Sequence, residues 1–364
     1  MISGMKAGGA ETFLMKVYRA LDKSKFQMDF CLFSNEIGYY EPEIETMGGT
    51  IFHIKPKTES IVKSLCQIYS IVKNEKYKYV MRVSPRSLSA LDLLAARIGG
   101  AEKLIFRSSN TKPGDSQIDK TLHWIFRWMP MIIPNVKFAP SKAAAEYLFG
   151  KAGVNKGKVS IIKNAIPIEE YRFSSAERMR IRDELKCENK TIIGHIGRFT
   201  KQKNHKFILE VFKEYTEKNP ESILLLLGEG DMLREIRDLS EKLDLDKKII
   251  YAGIRKDVPA ILMAMDLLLL PSLYEGMPNV VIEAQATSLP CLLSDRITSE
   301  VALTDLVEFM SLDDGNSLWA EKIEDILKWG IKREEEHNFP KEEYEIERTT
   351  RILERLIFEN GSEK

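Results

Sequence analysis

Two unbroken apolar runs constrain the fold more than any other feature of this chain. Ile223–Leu227 and Leu267–Leu270 contain only isoleucine and leucine, and each stops at a residue that turns the chain, Gly228 or Pro271. Short runs that stay apolar throughout are typical of strands buried on both faces. Such strands occur in parallel sheets that are covered by helices. The second half of the chain is therefore predicted to be an α/β domain.

The same alternation of strands and helices runs along most of the chain. Strands are predicted at Met28–Phe33, Thr50–Ile54, Tyr79–Val83, Lys103–Phe106, Val136–Pro140, Val159–Ile162, Thr191–Ile196, Ile223–Leu227, Lys248–Ala252, Leu267–Leu270 and Cys291–Leu293. Helices are predicted between them, at Ile61–Lys73, Ser89–Ile98, Ser141–Gly150, Lys203–Lys218 and Met232–Leu243. The alternation breaks at Lys163–Pro167 and then restarts. The predicted fold class is therefore α/β, with two doubly wound domains in tandem.

The expected domain boundaries follow from that break. Residues 1–166 form the first predicted domain and residues 167–341 the second. The tail has apolar residues at helical spacing, at Ile346, Ile352 and Leu356. Residues 342–364 are expected to form a helix that packs back on the first domain.

The first domain begins unusually. A helix is predicted at Glu11–Leu21, after the turn Gly8-Gly9. A glycine-rich turn into a helix normally follows a strand, but only Met1 and Ile2 precede this one. The first strand of the domain is therefore expected to be missing or truncated.

Composition limits the class of protein. The 54 basic and 54 acidic residues cancel, so no global charge favours nucleic acid or an anionic membrane. The four cysteines are isolated and show no CxxC pairing, which fits a reducing cytoplasm. An apolar run of about 18 residues, as a membrane-spanning helix needs, is not seen. The expected location is the cytoplasm.

Four loops should meet at one edge of the second sheet, because ligands bind beyond the carboxyl ends of strands in open α/β folds. One of these loops, GRFTKQKN, runs from Gly197 to Asn204. Gly197 lets the backbone turn away from the strand, and Arg198 and Lys203 then supply two cations. A guanidinium and an ammonium together suit a diphosphate. The alternative is a solvated basic loop, since lysines also flank this pair.

A second loop, LYEGMPNVVIEA, begins at Leu273 and leads into a helix predicted near Pro278. The N–H groups at the start of a helix favour an anion. Glu275 precedes this helix and Glu283 lies in its second turn. Carboxylates accept hydrogen bonds from sugar hydroxyls, so Glu283 is expected to reach a ribose and Glu275 a hexose. The alternative is a pair of ordinary surface glutamates.

These two motifs resemble the family 4 retaining glycosyltransferases of the GT-B fold. The similarity rests on GRFTKQKN and on the E-x7-E pair of Glu275 and Glu283. It extends over nearly the whole chain, including GGAE at Gly8–Glu11, the Asn164 turn, and the segment from Pro271 to Asp295. Within that family, the chain most resembles the bacterial branch that builds capsular, exopolysaccharide or O-antigen chains. The resemblance implies two Rossmann-like domains facing a cleft, with the acceptor bound by the N-terminal domain and a nucleotide sugar by the C-terminal domain.

The resemblance also implies roles for individual residues. Arg198, Lys203 and Glu275 are the expected catalytic residues, with Arg198 and Lys203 on the diphosphate. Glu283 is expected to bind the ribose. The donor site is expected to contain, in addition to these, Gly197, Gly228, Gly276, Met277, Pro278 and Asn279. Neither a metal nor a bound cofactor is expected, because the cations and the helix terminus neutralise the departing diphosphate.

The expected reaction moves a hexose or N-acetylhexosamine from a nucleotide sugar, with a UDP-sugar favoured, to a saccharide or lipid-linked saccharide with retention of configuration. It would serve cell-surface polysaccharide biosynthesis. No nucleic acid partner is expected. Two alternatives stay open. One is a sugar-nucleotide epimerase or phosphorylase on the same fold, and the other is a non-catalytic nucleotide-sugar-binding partner.

The chain departs from the family in its N-terminal domain. Many members carry a histidine in an HSHN-like run after the fourth strand, and here Ser109 takes that place. Arg107 and Asn110 are the remaining polar candidates. No general base is therefore assigned.

An apolar and aromatic segment, His123–Pro134, allows two interpretations. It is too short to span a bilayer. The favoured interpretation is a helix packed on the core of the first domain. The other is a patch that lies in the membrane interface near a lipid-linked acceptor, which would place the protein on the inner face of the cell membrane.

Overall fold

A computed structural model describes residues 1–109, 117–334 and 337–359 of the chain. The chain divides into two compact units. Unit 1 consists of Met1–Ile166 together with the segment from Glu342 onward, and unit 2 is Pro167–Lys341. Each unit contains parallel strands and has hydrophobic core residues of its own.

The strands and helices alternate in chain order. The strands are β1 (Phe30–Leu32), β2 (Ile51–His53), β3 (Tyr79–Val83), β4 (Lys103–Arg107), β5 (Val136–Ala139), β6 (Ser160–Ile161), β7 (Thr191–Ile196), β8 (Ser222–Leu227), β9 (Ile249–Gly253), β10 (Leu267–Leu270), β11 (Cys291–Ser294) and β12 (Val307–Met310). The α-helices are α1 (Gly9–Ala20), α2 (Glu41–Thr46), α3 (Ile61–Glu75), α4 (Ala90–Ile98), α5 (Gln117–Phe126), α6 (Met129–Ile132), α7 (Lys142–Phe149), α8 (Lys151–Asn155), α9 (Ser175–Glu184), α10 (His205–Lys218), α11 (Leu233–Lys242), α12 (Val258–Ala264), α13 (Asn279–Ala286), α14 (Asn316–Leu327), α15 (Lys341–Tyr344) and α16 (Ile346–Phe358).

Unit 1 contains two groups of parallel strands, β1–β2 and β3–β4–β5–β6. Met1 and Ile2 lie between them. Ile2 forms a parallel bridge with Leu32 of β1, and the Val83 N–H of β3 donates to the Met1 carbonyl at 3.0 Å. This short stretch therefore holds the position of a strand between β1 and β3, and it leads through Gly8 into α1.

The core of unit 1 lies on both faces of these strands. Phe13, Leu14 and Val17 of α1 pack with Ile346 and Leu353 on one face. The last two come from the C-terminal segment, so α16 lies against α1. The other face carries a separate cluster that includes buried residues of α3, α4 and α7. The amphipathic spacing of these helices accounts for their placement.

Unit 2 has one six-stranded parallel sheet in the order β12–β11–β10–β7–β8–β9. The leucines of β8 and β10, which form the two apolar runs of the sequence, are all buried. Helices α10 and α14 pack together on the sheet, where Trp319 is fully buried. Unit 2 is therefore an α/β unit with a doubly wound parallel sheet, as expected.

Most predicted elements agree with the structure to within two residues, and the ends of Tyr79–Val83, Thr191–Ile196 and Leu267–Leu270 agree without difference. The sequence did not predict β12, α12 or α14. β12 is an edge strand whose four residues are only half-buried, so it lacks the apolar run that marks its neighbours. In the part of the chain that the structure describes, no helix is both long and apolar enough to cross a membrane.

Candidate functional site

The strand order of unit 2 reverses between β7 and β10. β8 and β9 lie on one side of β7, whereas β10, β11 and β12 lie on the other. Loops that leave adjacent strands at such a switch point diverge and open a crevice at the carboxyl edge of the sheet. The loops that follow β7 and β10 are GRFTKQKN and the stretch containing Glu275, so both predicted motifs lie at this point.

The two loops are fastened to each other. Gln202 lies in a 3₁₀ turn, Lys201–Lys203, and its carbonyl accepts from the Leu273 N–H at 2.8 Å. Its side-chain amide donates to the Tyr274 carbonyl at 2.9 Å. The side chain of Asn204 donates to the Pro271 carbonyl at 3.2 Å. The sequence did not single out Gln202 or Asn204, although both are polar residues within the motif.

Lys203 and Glu275 form the central contact of the crevice. The Lys203 Nζ lies 2.7 Å from the Glu275 Oε1, and the side chains are 16% and 11% exposed. The two groups form an ion pair, but their angles do not meet those of a hydrogen bond. It joins two predicted site residues from different loops. A cation and a carboxylate are thus held together beside the start of α13.

Two glycines let the neighbouring loops approach closely. Gly228, at φ +132°, follows β8, and a Cβ there would lie 2.2 Å from the Gly197 carbonyl oxygen. A Cβ on Gly197 would make milder contacts, 2.9 Å from the His195 ring and 3.0 Å from the Lys203 side chain. Glycine is needed at position 228, because a Cβ there would meet the backbone of the neighbouring loop, and at position 197 a Cβ would displace the Lys203 side chain.

The helix that follows Glu275 is α13. Pro278 is its N-cap residue and Asn279 its first residue. Gly276 and Pro278 are buried, whereas Met277 and Asn279 are partly exposed. Glu283 lies in the second turn and is 6% exposed. The first N–H groups of a helix attract an anion, so the start of α13 adds to the positive potential that Lys203 provides.

A pair of buried histidines lies beneath Lys203. The Nδ1 of His195, in β7, donates to the Leu269 carbonyl at 2.9 Å, because a carbonyl oxygen can only accept. The Nε2 of the neutral ring is then an acceptor. His205 begins α10 and stacks on Phe199 at 4.1 Å between ring centres. Burial lowers the pKa of His205 to about 4 and that of His195 well below its usual value, and the charge of Lys203 contributes to both.

Arg198 differs from the other predicted residues. It is exposed, and it has no ion pair with any residue that the structure describes. Its backbone carbonyl accepts from the Thr200 N–H at 2.8 Å, which keeps the loop turned. Its guanidinium is therefore available to solvent at the same loop that carries Lys203.

In unit 1, the candidates of the HSHN-like run lie at the end of β4. Arg107 is the last residue of that strand and is buried. Ser109 is partly exposed. Asn110 lies outside the described residues.

Comparison with known proteins decides the family. The model of the family described as "Glycosyl transferases group 1" matches residues 177–345. EpsF of Bacillus subtilis (strain 168), which is named as a glycosyltransferase, is 31% identical over 332 residues, or 89% of this chain and 85% of EpsF. The chain belongs to the group 1 glycosyl transferases. It is therefore a glycosyltransferase, as the motifs predicted.

Two further relatives of this glycosyltransferase act on named acceptors. The UDP-Gal:alpha-D-GlcNAc-diphosphoundecaprenol alpha-1,3-galactosyltransferase of Escherichia coli is 27% identical over 247 residues, which are 64% of this chain and 62% of that enzyme. An N-acetylgalactosaminyltransferase of Campylobacter jejuni, named for a diphospho-undecaprenol acceptor, is 24% identical over 341 residues and covers 87% of each chain.

Solved structures share the fold. Anabaena HepE in complex with UDP-glucose superposes with a TM-score of 0.72 at 17% identity, and the match covers 98% of this chain and 94% of HepE. WaaG, a glycosyltransferase involved in lipopolysaccharide biosynthesis, gives a TM-score of 0.73 at 12% identity over 99% of both chains. The predicted GT-B class with two Rossmann-like domains is thereby confirmed.

Proposed function

We propose that this glycosyltransferase moves a hexose or N-acetylhexosamine from a UDP-sugar to a saccharide or lipid-linked saccharide, with retention of configuration, in cell-surface polysaccharide biosynthesis. Unit 2 would bind the donor and unit 1 the acceptor. The observation that carries the proposal is the Lys203–Glu275 pair beside the start of α13 at the switch point of the sheet. The names of the Escherichia coli and Campylobacter jejuni relatives support the lipid-linked acceptor.

The proposed roles follow from charge and position. The diphosphate would lie at the start of α13, where Lys203 and the exposed Arg198 neutralise it. Glu275 would then accept hydrogen bonds from the transferred sugar, and Glu283 from the ribose. Gly197 and Gly228 would allow the backbone to approach the phosphates. Gly276, Met277, Pro278 and Asn279 form the turn that places the first N–H groups of the helix.

The catalytic contribution would be electrostatic. As the bond to the sugar breaks, negative charge grows on the leaving diphosphate, and preorganised cations and helix N–H groups stabilise it. No metal would be needed for that purpose. The leaving phosphate would take the proton of the acceptor hydroxyl on the same face, which is how the configuration is kept without a protein base.

A donor screen tests the proposal. The purified protein is incubated with UDP-glucose, UDP-galactose, UDP-GlcNAc and UDP-GalNAc, with and without a membrane lipid extract as acceptor. We expect thermal stabilisation by UDP, sugar transfer that requires the extract and survives EDTA, and an α-linked product by NMR. Conversion of a UDP-sugar without acceptor would favour the epimerase, and UDP binding without transfer would favour the non-catalytic partner.

Variants connect the activity to the site. Lys203→Met and Glu283→Gln should each lose at least 90% of turnover, as expected when an interaction with a developing charge or a binding contact worth ~1.4 kcal/mol or more is removed. Lys206→Met is the matched control, because Lys206 is exposed and pairs with Glu210 at 3.8 Å on the same segment. Full activity in both site variants would refute the assignment.

We also propose that the protein works in the cytoplasm and contacts the membrane through α5 and α6. Trp124 is 70% exposed, Trp128 54% and Ile132 70%, and the exposed Arg127 lies among them. Met129 is buried and holds the segment on the core of unit 1. Only part of the segment therefore packs as a core helix would, because the other apolar side chains are exposed. Tryptophan favours the interface between lipid and water, and a cation favours anionic headgroups.

Flotation with vesicles that contain anionic phospholipid tests this contact. We expect the wild type to float with the vesicles and the Trp124→Ala/Trp128→Ala variant to stay in solution. Trp329→Ala is the control, because Trp329 is exposed in unit 2 and outside the patch. A wild type that stays in solution would refute the membrane contact and leave the donor site untouched.

A further inference from the structure

Gln285 is a side-chain amide in the last turn of α13, and it is only 1% exposed. Its Nε2 donates to the Val281 carbonyl at 3.0 Å, one turn earlier in the helix, and to the Val301 carbonyl at 2.9 Å. Its Oε1 accepts from the N–H groups of Leu303 and Thr304 at 2.8 and 3.0 Å. The Thr304 hydroxyl adds a third bond to this oxygen at 3.1 Å. Both N–H groups and the oxygen of the amide are therefore in use.

The partners of Gln285 outside α13 belong to the loop that connects β11 with β12, residues 295–306, here called the β11–β12 loop. Carbonyl oxygens face one end of the amide and backbone N–H groups face the other, so only one orientation of the amide satisfies them. Val301 is fully buried, so its carbonyl has no access to water that could replace the amide. The amide of Gln285 therefore fixes the end of the β11–β12 loop to α13.

The start of the same loop holds the segment that carries Glu275. Ile297 forms a parallel bridge with Glu275 and is 3% exposed. The hydroxyl of Ser294, at the end of β11, donates to the Ser272 carbonyl at 2.6 Å. The β11–β12 loop therefore attaches to this segment twice, once before α13 and once in the last turn of the helix. Both Glu275 and Glu283 lie in the part of the chain that the two attachments hold.

Gln285 and Glu283 lie on opposite sides of α13. Consecutive residues of an α-helix are about 100° apart, so residues two positions apart differ by about 200° around the axis. A rotation of this eight-residue helix about its axis would change the direction of the Glu283 carboxylate. The bonds of Gln285 oppose such a rotation, because they hold the far side of the helix to the β11–β12 loop.

The other buried side chains of α13 cannot fix the rotation as sharply. Apart from Glu283 and Gln285 they are apolar, namely Val280, Val281, Ile282 and Ala284. Packing between apolar groups has no preferred direction, whereas a hydrogen bond needs a defined distance and angle. The rotation of α13, and with it the direction of Glu283, therefore depends on the amide of Gln285.

We propose that Gln285 is a positioning residue that directs the Glu283 carboxylate toward the ribose of the donor, with the β11–β12 loop as its support. The inference rests on the proposed function, in which Glu283 accepts hydrogen bonds from the ribose hydroxyls. Gln285 itself does not touch the nucleotide. Hydrogen bonds from hydroxyls to a carboxylate depend on alignment, so a small rotation of α13 weakens them. The contacts of the base and of the diphosphate do not depend on Glu283.

Calorimetry with UDP and with 2′,3′-dideoxy-UDP, which lacks both ribose hydroxyls, tests the proposal in the full-length protein. The ratio of the two affinities is the ribose preference. The wild type should bind UDP at least about tenfold tighter than the analogue, and Glu283→Gln should lose most of this preference. Gln285→Met should lower the preference at least about fivefold and leave the affinity for the analogue within about twofold. Once Glu283 is replaced by Gln, Gln285→Met should not change the preference further.

Ile323→Ala is the matched control for a general loss of stability. Ile323 is fully buried in α14 of the same unit, in a core cluster that includes no residue of α13. Its truncation should lower the melting temperature, as Gln285→Met does, but keep the ribose preference of the wild type. If Gln285→Met weakens the binding of UDP and of the dideoxy analogue equally, Gln285 serves stability alone and the proposal is overturned.

Gln285→Asn takes the place of Gln285→Met if the latter does not fold. It keeps the amide on a side chain one methylene shorter, which cannot reach the partners in the helix and in the loop together. The ribose preference should fall at least about threefold, and an unchanged preference would overturn the proposal.

The same titrations separate this proposal from the proposed function. A wild type without ribose preference, or a full preference in Glu283→Gln, would refute the ribose contact of Glu283 and the role of Gln285 with it. A preference that is lost in Glu283→Gln but kept in Gln285→Met would leave the ribose contact in place and overturn the role of Gln285 alone.

Discussion

Lys203 reaches Glu275 across the gap between the ends of β7 and β10, with 2.7 Å between Nζ and Oε1. Both side chains are largely buried. Each charge is therefore tolerated because the other is present, and the crevice holds a cation and a carboxylate in fixed positions before any ligand arrives. This pairing makes the two residues interdependent, both in stability and in binding.

The pairing predicts a non-additive double-mutant cycle. Lys203→Met leaves the Glu275 carboxylate without its cation and should lower the free energy of unfolding by about 2–3 kcal/mol, somewhat less than for a fully buried pair. Adding Glu275→Gln removes the orphaned charge and should restore at least about 1 kcal/mol. Urea unfolding followed by circular dichroism measures both. Strictly additive losses would show that the two side chains do not depend on each other.

The His195 and His205 pair predicts that stability falls in mild acid. Both imidazoles are neutral in the folded protein, whereas the unfolded chain takes up protons near pH 6.5. The unfolded state therefore binds more protons between about pH 6.5 and 4, and stability is lost as the pH falls through that window. The slope should approach ~1.4 kcal/mol per pH unit for each histidine.

His205→Phe keeps the stacking on Phe199 but removes one titrating group. The number of protons taken up on unfolding should fall by about one, and the slope of stability against pH should fall with it. Urea unfolding at pH 7, 6 and 5 measures that slope. His337→Phe is the control, because His337 is partly exposed and its Nε2 donates to the Lys332 carbonyl at 3.2 Å, away from His195 and His205. An identical slope in wild type and His205→Phe would mean that His205 titrates normally in the folded state.

The sequence predicted the sheet of unit 2 and the two motifs at its edge, because buried parallel strands and glycine turns leave local signals. The ion pair between Lys203 and Glu275 was not predicted, since it depends on β7 and β10 being neighbours although the two residues are 72 positions apart in the chain. Sheet order has no local signal of this kind.

Other differences between the predicted and the observed structure also have physical causes. The segment with Trp124 and Trp128 has the composition of a core helix, but only some of its apolar residues face the core. β12 has the half-buried pattern of an edge strand, which resembles a loop in sequence. The short stretch Met1–Ile2 pairs with Leu32 through one bridge, a contact too short to be predicted as a strand.

Gly228 predicts a large effect from a single methyl group. In Gly228→Ala the new Cβ would meet the Gly197 carbonyl oxygen at 2.2 Å, so the loop that holds Lys203 must move. The cost should be about 2–4 kcal/mol from strain and overpacking, and UDP affinity should fall at least tenfold.

Gly253→Ala is the matched control for this prediction. Gly253 also has a positive φ, +62°, but nothing lies within 4 Å of its Cβ position. Only backbone strain of roughly 1 kcal/mol is expected there, with UDP affinity unchanged. Equal affinities for UDP in the two alanine variants would show that the loops adjust without moving Lys203.

Arg333 predicts a connection between the far end of α13 and the site at its start. Its Nη1 donates to the Met263 and Met265 carbonyls at 2.8 and 2.7 Å, at the C-terminal end of α12. Its Nη2 donates to the Thr287 carbonyl at 2.9 Å, at the end of α13, and the side chain packs on Phe173. The guanidinium thus satisfies the terminal carbonyls of two helices at once, where a cation also complements the helix dipoles. Arg333→Met would leave these carbonyls buried without donors, so we expect a loss of about 3–5 kcal/mol in the free energy of unfolding and a two- to fivefold weaker UDP affinity as α13 loosens.

Arg333→Lys should recover only part of the stability, because one ammonium cannot reach both helix ends. Arg296→Met is the control, since its half-exposed side chain makes a single 3.5 Å ion pair with Asp313, and its effect should stay within about 0.5 kcal/mol. Urea unfolding and UDP titration of the three variants measure these effects. A loss in Arg333→Met no larger than in Arg296→Met would show that water replaces the guanidinium at the helix ends.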